Sequence, residues 1–535
     1  MTCRERHRLT PGAIESVVQN TRMPFRFVYA DVCSPEWVRA KIAEHAKAWR
    51  LEVLRFDEPL WPTQVRRRIV SQIGSKYAVF IDNDVIVSPN WLENLVACAE
   101  KTGAGIVGPL YLWGESGLAD RIHMAGGELK EERQPAGIVL REEHRYFNMK
   151  VDELELRRQE CDFVEFHCML MRREVFRAPD IFDERIVCVH EHIHASLVAR
   201  AMGYKTYCDP TARVTYLVVA PYSLADLPVF RRRWSFEACE SSIQSFARRW
   251  GVIDDERSFG VRQYIARHRC DVDPVRSSLQ SGSISRTPMQ ASDLRQSLSG
   301  LIELAESRGY TADDIAQIRK AHWSALLLSS GGYRPCGRPF IDHLVGTASA
   351  LVHYGCETRL VLAGLLHAAY SHAPHVPGGS LETVETIERW LGGRDSPIER
   401  AVRSYTVRMG RWQELSSLDN WQDIATMSDI DTAMLAMANG ADMYLSGEVR
   451  ATGRTDVDDC AVLPKAREIC EIVGVPGLAE IHTLHQVRAD QFAPNENRPV
   501  ASFRVEGKKV VSMVNPAFFE VQQTALQTQS SVENL

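Results

Sequence analysis

No Cys-x-x-Cys pair occurs in this sequence: its thirteen cysteines stand singly, which points to reduced thiols rather than a disulfide framework and leaves no zinc-ribbon spacing. Long apolar runs are also missing. The richest, such as LVLAGLLHAAY, stop at about ten residues, half of the roughly 20 needed to span a bilayer. The first residues, MTCRERHRLTPG, lack the apolar core of a signal peptide, so the expected compartment is the cytoplasm. Charge of one sign is scarce: 63 basic against 69 acidic side chains give a formal net charge of -6, with no general pull toward nucleic acid or anionic lipid.

What is present is a soluble globular composition, 45% hydrophobic and 25% charged, on a chain of 535 residues. That is too long for one ordinary core and calls for two or three domains. Over residues 1–255, short apolar runs (FRFVYA, LEVLRF, YAVFI, GAGIVGPLYLW) alternate with amphipathic stretches such as SPNWLENLVACAEKTG. Alternation of this kind predicts an α/β domain with a mostly parallel sheet. Residues 256–291, with RSSLQSGSISRTPMQAS, have linker composition. From 292 to 490 apolar residues recur at helical spacing in nearly every segment. Thr311 with Asp314 and Ser396-Pro397 with Glu399 are capping starts, and Gly331, Gly355 and Gly474 supply stops. This half is expected to be all-α. Residues 491–535 hold one hairpin, ASFRVEGKKVVSMV, and a polar tail expected to be disordered.

Two short stretches carry chemistry. In YAVFIDNDVIVSPNWLENL, Asp82 and Asp84 follow a buried strand at its carboxyl end, where open α/β sheets bind ligands. In extended chain, residues i and i+2 point the same way, so both carboxylates face one site and Asn83 faces away. Such a pair suits a divalent cation held against a diphosphate; a pair of loop-capping aspartates is the competing reading. In HEHIHASLVARAMGYK, His190 and His194 flank Glu191 at zinc-peptidase spacing. The same stretch also reads as a carboxylate opening a helix that ends in Gly-Tyr, as in a sugar-transfer site.

IDNDV followed by SPNWL resembles the D-x-D segment of family 2 glycosyltransferases, and other landmarks follow in order: FVYADVCSPE, GIVGP, IHMAGGEL, DFVEFHCMLMRREVF, IFDERI, the HEHIH helix with its R-x-x-G-Y ending, and DLPVFRRRWSFEACESSIQSFARRWG. The likeness spans about residues 10–252. It implies a GT-A fold with a Rossmann-like mixed sheet, a nucleotide-sugar donor, and Mg2+ or Mn2+ at Asp84 with Asp82 sharing the metal or touching the donor ribose. It also implies Asp31 as a donor contact, Glu191 as the base that takes the acceptor proton, Arg233 as an aid to the departing diphosphate, and inversion at the anomeric carbon. Phe230 stands where the family's signature has glutamine. The acceptor is open: glycan, lipid carrier, peptide or small metabolite. The peptidase reading would need a third ligand, and the next glutamate, Glu237, lies in a different element. One departure concerns the start of the chain, since family members begin with a buried first strand carrying nucleobase contacts and MTCRERHRLT is too polar for a central parallel strand; either the true start lies upstream or the donor pocket is incomplete.

In the helical half, FIDHLVGTASALVHYGCETRLVLAGLLHAAYSH and ANGADMYL resemble the HD phosphohydrolase superfamily over about residues 325–480. His343, His367 and Asp442 are carried over as a second site. Ala368 stands where active members have a metal-binding aspartate, so the domain is expected to be degenerate, with His372 and His375 as substitutes. The sequence therefore predicts a metal-dependent glycosyltransferase with an appended helical domain. The competing readings are a phosphohydrolase or nucleotide-binding protein with a non-catalytic glycosyltransferase-like domain, and a sugar or nucleotide binding module.

Overall fold

A computed structural model of the chain describes residues 1–2, 5–114, 120–218, 222–253, 262, 265, 273–275, 285–372, 381–407, 411–412, 414–415, 417–452, 465–489, 502–506 and 509–513. Two compact units divide it, Met1–His268 and Arg269–Leu535. Most of the expected linker, His375 and the terminal tail lie outside the described residues.

The first unit is α/β. Its elements are α1 (Thr10–Asn20), β1 (Phe27–Val32), α2 (Glu36–His45), β2 (Leu51–Phe56), α3 (Pro62–Ile69), β3 (Tyr77–Ile81), β4 (Val85–Val87), α4 (Trp91–Thr102), β5 (Ile106–Trp113), β6 (Arg121–Met124), β7 (Gly127–Gln134), β8 (Gly137–His144), β9 (Gln159–Cys161), β10 (Cys168–Arg172), α5 (Arg173–Phe176), α6 (Glu191–Ala201), β11 (Thr206–Tyr216), α7 (Leu227–Arg233) and α8 (Phe236–Trp250). The main sheet runs β3-β10-β5-β11-β4, with β6 on β5 and β9 on β11. It is mixed, as a GT-A fold requires, rather than mostly parallel. β5 and β11 are parallel, while β10 enters antiparallel to both β3 and β5. Direction was hidden in the sequence because CMLMR, buried on both sides like β5, gives the same continuous apolar run whichever way it points.

The polar start of the chain reaches the sheet through an isolated bridge. Thr2 bridges in parallel to both Ala30 and Asp82, and its amide donates to the Ile81 carbonyl at 2.9 Å. Only two residues are needed for this bridge, too few for an apolar pattern to show. The core is built from Ile106, Val107, Leu110, Met169, Leu170 and Met171 on the sheet, against Trp91 and Leu95 of α4 and Ile193 and Val198 of α6. Fully burying a side chain such as Leu95 contributes about 1.5–3 kcal/mol, and α4 stops cleanly because Gly103 adopts φ +69°, its amide reaching back to Ala99 at 3.0 Å.

The second unit is largely helical. Thr311 caps the helix Ala312–Ser329, accepting from the Asp314 amide at 3.2 Å while Asp314 accepts in return. Helices Phe340–His353, Thr358–Leu366, Pro397–Thr406 and Met427–Leu445 are its central elements. A small sheet joins strands Phe503–Glu506 and Lys509–Ser512 as a hairpin, with Gly332–Tyr333 alongside.

Candidate functional site

The loop Asp82–Asp84 is pinned at both ends. The Asp82 amide donates to the His167 carbonyl at 3.2 Å, extending the β3–β10 ladder by one step, and the Leu217 amide donates to the Asp84 carbonyl at 3.0 Å. Asn83 turns the other way, donating to the Glu5 carbonyl at 3.1 Å and to Thr10 Oγ1 at 3.0 Å. The two carboxylates meet the His167 ring: ligand atoms of Asp82, Asp84 and His167 all lie within 4.8 Å of one another, and all three residues are buried or nearly so.

Positive charge surrounds this group. His167 Nδ1 is 3.1 Å from Asp82 Oδ2, and Arg66 Nη2 is 3.5 Å from Asp82 Oδ1. Arg6 Nη1 donates to Asp84 Oδ2 at 3.1 Å. The Arg6 backbone sits at φ +57°, its guanidinium lies 4.2 Å from the Tyr222 ring centroid, and Nη2 donates to the Val218 carbonyl at 3.1 Å. Burial works against its charge, but Tyr216, Tyr222, Asp84 and Glu5 outweigh that and hold its pKa above the ordinary value. Asp84 Oδ1 is buried and accepts no hydrogen bond from the described residues. An orphaned carboxylate oxygen in a protein interior costs about 1–3 kcal/mol, which a bound ion or water would offset.

The other sequence-predicted residues divide by distance along this network. Asp31, at the end of β1, is buried and occupied by its own loop, Oδ1 accepting from the Ser34 amide at 3.1 Å and Oδ2 lying 3.1 Å from Arg39 Nε. Arg233 pairs with buried Glu5 rather than with either aspartate, but Glu5 precedes Arg6, so the two ion pairs abut. Glu191 opens α6, half-buried. Its neighbours His190 and His192 each lie 3.9 Å from Glu142 Oε2. Burial raises the Glu142 pKa, against the pull of His192, and burial lowers that of His190 to about 3.

The zinc-peptidase reading fails on hydrogen bonding. Trp250 Nε1 donates to His194 Nδ1 at 3.2 Å, and His194 Nε2 is 2.7 Å from the Asp180 carbonyl. Indole is a donor only, so Nδ1 must accept and Nε2 must carry the proton. Neither lone pair remains for a metal.

Sequence reasoning missed His167, Arg6 and Arg66, and also Glu165, a carboxylate facing three histidine rings. His123 Nε2 is 2.7 Å from Glu165 Oε2, His167 Nε2 is 3.5 Å from the same atom, and His144 Nε2 is 3.7 Å from Oε1. Burial raises the Glu165 pKa, yet the three rings together leave it well below the carboxylate range. The one available signal was the string VEFHC, two ligand-type residues directly before an apolar strand.

Residues 1–178 match the model of the family described as Glycosyl transferase family 2. The N-terminal unit holds a family 2 glycosyltransferase domain. An uncharacterized protein of Sinorhizobium fredii, y4gI, is 26% identical over 218 residues, 38% of this chain and 22% of that protein. The O-antigen biosynthesis protein RfbC of Myxococcus xanthus is 22% identical over 223 residues, 40% of this chain and 16% of its own. The chain thus spans about a fifth of the length of these relatives. A crystal structure of GalNAc-T7 with UDP, GalNAc and Mn2+ superposes with a TM-score of 0.32 at 18% identity, covering 38% of this chain and 40% of that one.

In the second unit, His343 Nδ1 is 2.6 Å from Asp442 Oδ2, and the His343 and His367 rings are 5.3 Å apart. Arg338 grips both oxygens of Asp442, at 3.0 and 2.7 Å, and Arg334 pairs with Glu448 at 2.8 Å. Burial, with Arg334 and His367 adding to it, holds the His343 pKa well below its ordinary value. Among the described residues, no three metal-ligating side chains of this unit come together.

Proposed function

We propose that the first unit transfers a sugar from a nucleotide-sugar donor to an acceptor hydroxyl, with inversion, and that Mg2+ or Mn2+ is held by Asp82, Asp84 and His167. One observation carries the reading: in a domain of this family, the D-x-D carboxylates converge with a third ligand while Asp84 Oδ1 is buried without a hydrogen-bond partner among the described residues. Two carboxylates and one imidazole suit Mn2+ or Mg2+ better than a soft metal. When bound, the ion supplies charge neutralisation to the leaving diphosphate. Arg66 and Arg6, each within reach of an aspartate, orient those carboxylates. Glu191, at the first turn of α6, takes the acceptor proton; Asp31 and Arg233 belong to the donor side. The absence of a disulfide among the described cysteines fits a reducing compartment, and we place the reaction in the cytoplasm.

The helical unit is read as a degenerate HD-like domain that binds or scaffolds rather than hydrolyses, because Arg338 occupies both oxygens of the carboxylate a metal would need. One observation favours a second reading of the first unit, as a metal-free nucleotide-binding module: Arg6 already provides a cation at Asp84. The deciding experiment measures nucleoside diphosphate release from a panel of nucleotide sugars, with Mn2+ and with EDTA. Metal-dependent release that Glu191→Gln suppresses supports the transferase. Donor binding unaffected by EDTA, with no release, supports the module.

A further inference from the structure

We infer that His123, His144 and Glu165 form a second metal site, built for a borderline transition ion such as Zn2+ and separate from the Asp82–Asp84 group. The three ligand atoms lie within 4.8 Å of one another. Two ligands about 2.1 Å from a tetrahedral zinc stand roughly 3.4 Å apart. His123 Nε2 lies 2.7 Å from Glu165 Oε2 and His144 Nε2 lies 3.7 Å from Oε1, the two oxygens of one carboxylate, so a small outward movement of the His123 ring admits an ion between the rings and that carboxylate.

The ligands are preorganised by three separate pieces of backbone. His123 lies on β6, locked to β5 through the Leu112–Ile122 register. His144 ends β8, and the next residue clamps the β6–β7 turn, with Arg145 N to Gly126 O at 3.0 Å and Ala125 N to Arg145 O at 3.2 Å. Glu165 is fixed by Tyr111, whose hydroxyl donates to the Glu165 carbonyl at 2.9 Å or to that of Cys168 at 2.7 Å. A site on rigid, hydrogen-bonded elements loses little entropy on binding. The three side chains are 14–19% exposed, which leaves a path for entry and an open coordination position.

Ligand chemistry separates this site from its neighbour. Two neutral imidazoles and one carboxylate favour Zn2+, Co2+ or Ni2+ and are poor for Mg2+, which prefers oxygens. His167 joins the two groups, its Nε2 3.5 Å from Glu165 and its Nδ1 3.1 Å from Asp82. Three protein ligands with an open fourth position make the type of site in which zinc lowers the pKa of a bound water to about 7.

The site stands independently of sugar transfer, and its test needs no turnover. Full-length protein stripped with a chelator is titrated with Co2+ and Zn2+, following Co2+ visible bands and metal stoichiometry, in wild type, Asp84→Asn and the double variant His123→Ala/His144→Ala. The expected result is one equivalent that survives Asp84→Asn, is not displaced by excess Mg2+, and weakens by at least about 100-fold in the double variant. An equivalent that the folded double variant retains when Asp84→Asn is added to it, or that disappears with Asp84→Asn alone, overturns the site. If the double variant does not fold, X-ray absorption of Co2+ in Asp84→Asn protein decides: two imidazole neighbours support the assignment, one or none refutes it.

Discussion

The aspartate clusters of the two units use the same parts to opposite ends. Both place a buried carboxylate against an arginine and a histidine. In the first unit Arg6 takes only one oxygen of Asp84, the other is left bare, and Asp82 and His167 stand beside it. In the second, Arg338 takes both oxygens of Asp442 in a fork, and His343 adds to one of them. A guanidinium that saturates a carboxylate substitutes for a metal; one that leaves an oxygen open sits next to where a metal goes. Residue type does not distinguish the two sites, but the number of unclaimed lone pairs does.

The largest break of this comparison is expected from the first cluster. Asp84→Asn should lower sugar-nucleotide turnover by about 10²–10³-fold, the scale of losing one electrostatic stabiliser, whereas Asp442→Asn should leave turnover within a factor of about two. Equal losses would mean that the clusters are not functionally distinct. Next comes stability. Asp442→Ala leaves Arg338 with Glu448 alone, 3.0 Å away, and His343 without its carboxylate, and urea unfolding should show a loss of about 3–5 kcal/mol; an unchanged midpoint would show that the fork is not structural.

A smaller effect sharpens the same contrast. Removing the guanidinium from Asp84 by Arg6→Met should tighten Mn2+ binding by about tenfold, or 1.4 kcal/mol, measured calorimetrically. Arg338→Met is expected to create no Mn2+ site, since Glu448 stays paired with Arg334 and Asp442 would keep only His343 beside it. Acid separates the two units least. Burial lowers His190 in the first unit to about 3, and in the second unit lowers His353 to about 4 and His372 to about 3. Each is lowered below the unfolded value near 6.5, so the unfolded chain binds more protons below that pH. Stability is full above about 6.5 and falls as the pH drops toward 4 in both units. Melting temperatures that rise between pH 6.5 and 4 would contradict the burial of these rings.

Much of the site's frame was legible in the sequence. YAVFI followed by two alternate aspartates announces a buried strand and a carboxylate pair, and Asn83 turns away from them as strand periodicity requires. His167 was not legible, because its place opposite Asp82 follows from an antiparallel register between strands about 85 residues apart. Nor was Arg6: a polar stretch gives no period, and only the two-residue bridge of Met1–Thr2 brings it to Asp84. The HEHIH string misled in the other direction. Its spacing is right for zinc, but Trp250 from a distant helix claims the nitrogen a metal would use. Local pattern predicts which way a side chain points; the fold decides what is already there.

The central claim, that Asp82, Asp84 and His167 hold a divalent ion for a sugar diphosphate, is tested most directly by calorimetric titration of Mn2+ into the chelator-stripped protein with a nucleoside diphosphate present. We predict one Mn2+ per chain whose affinity rises with the nucleotide and collapses in Asp84→Asn and His167→Ala. Nucleotide binding that is indifferent to Mn2+ in the wild type, and unchanged in both variants, would contradict it.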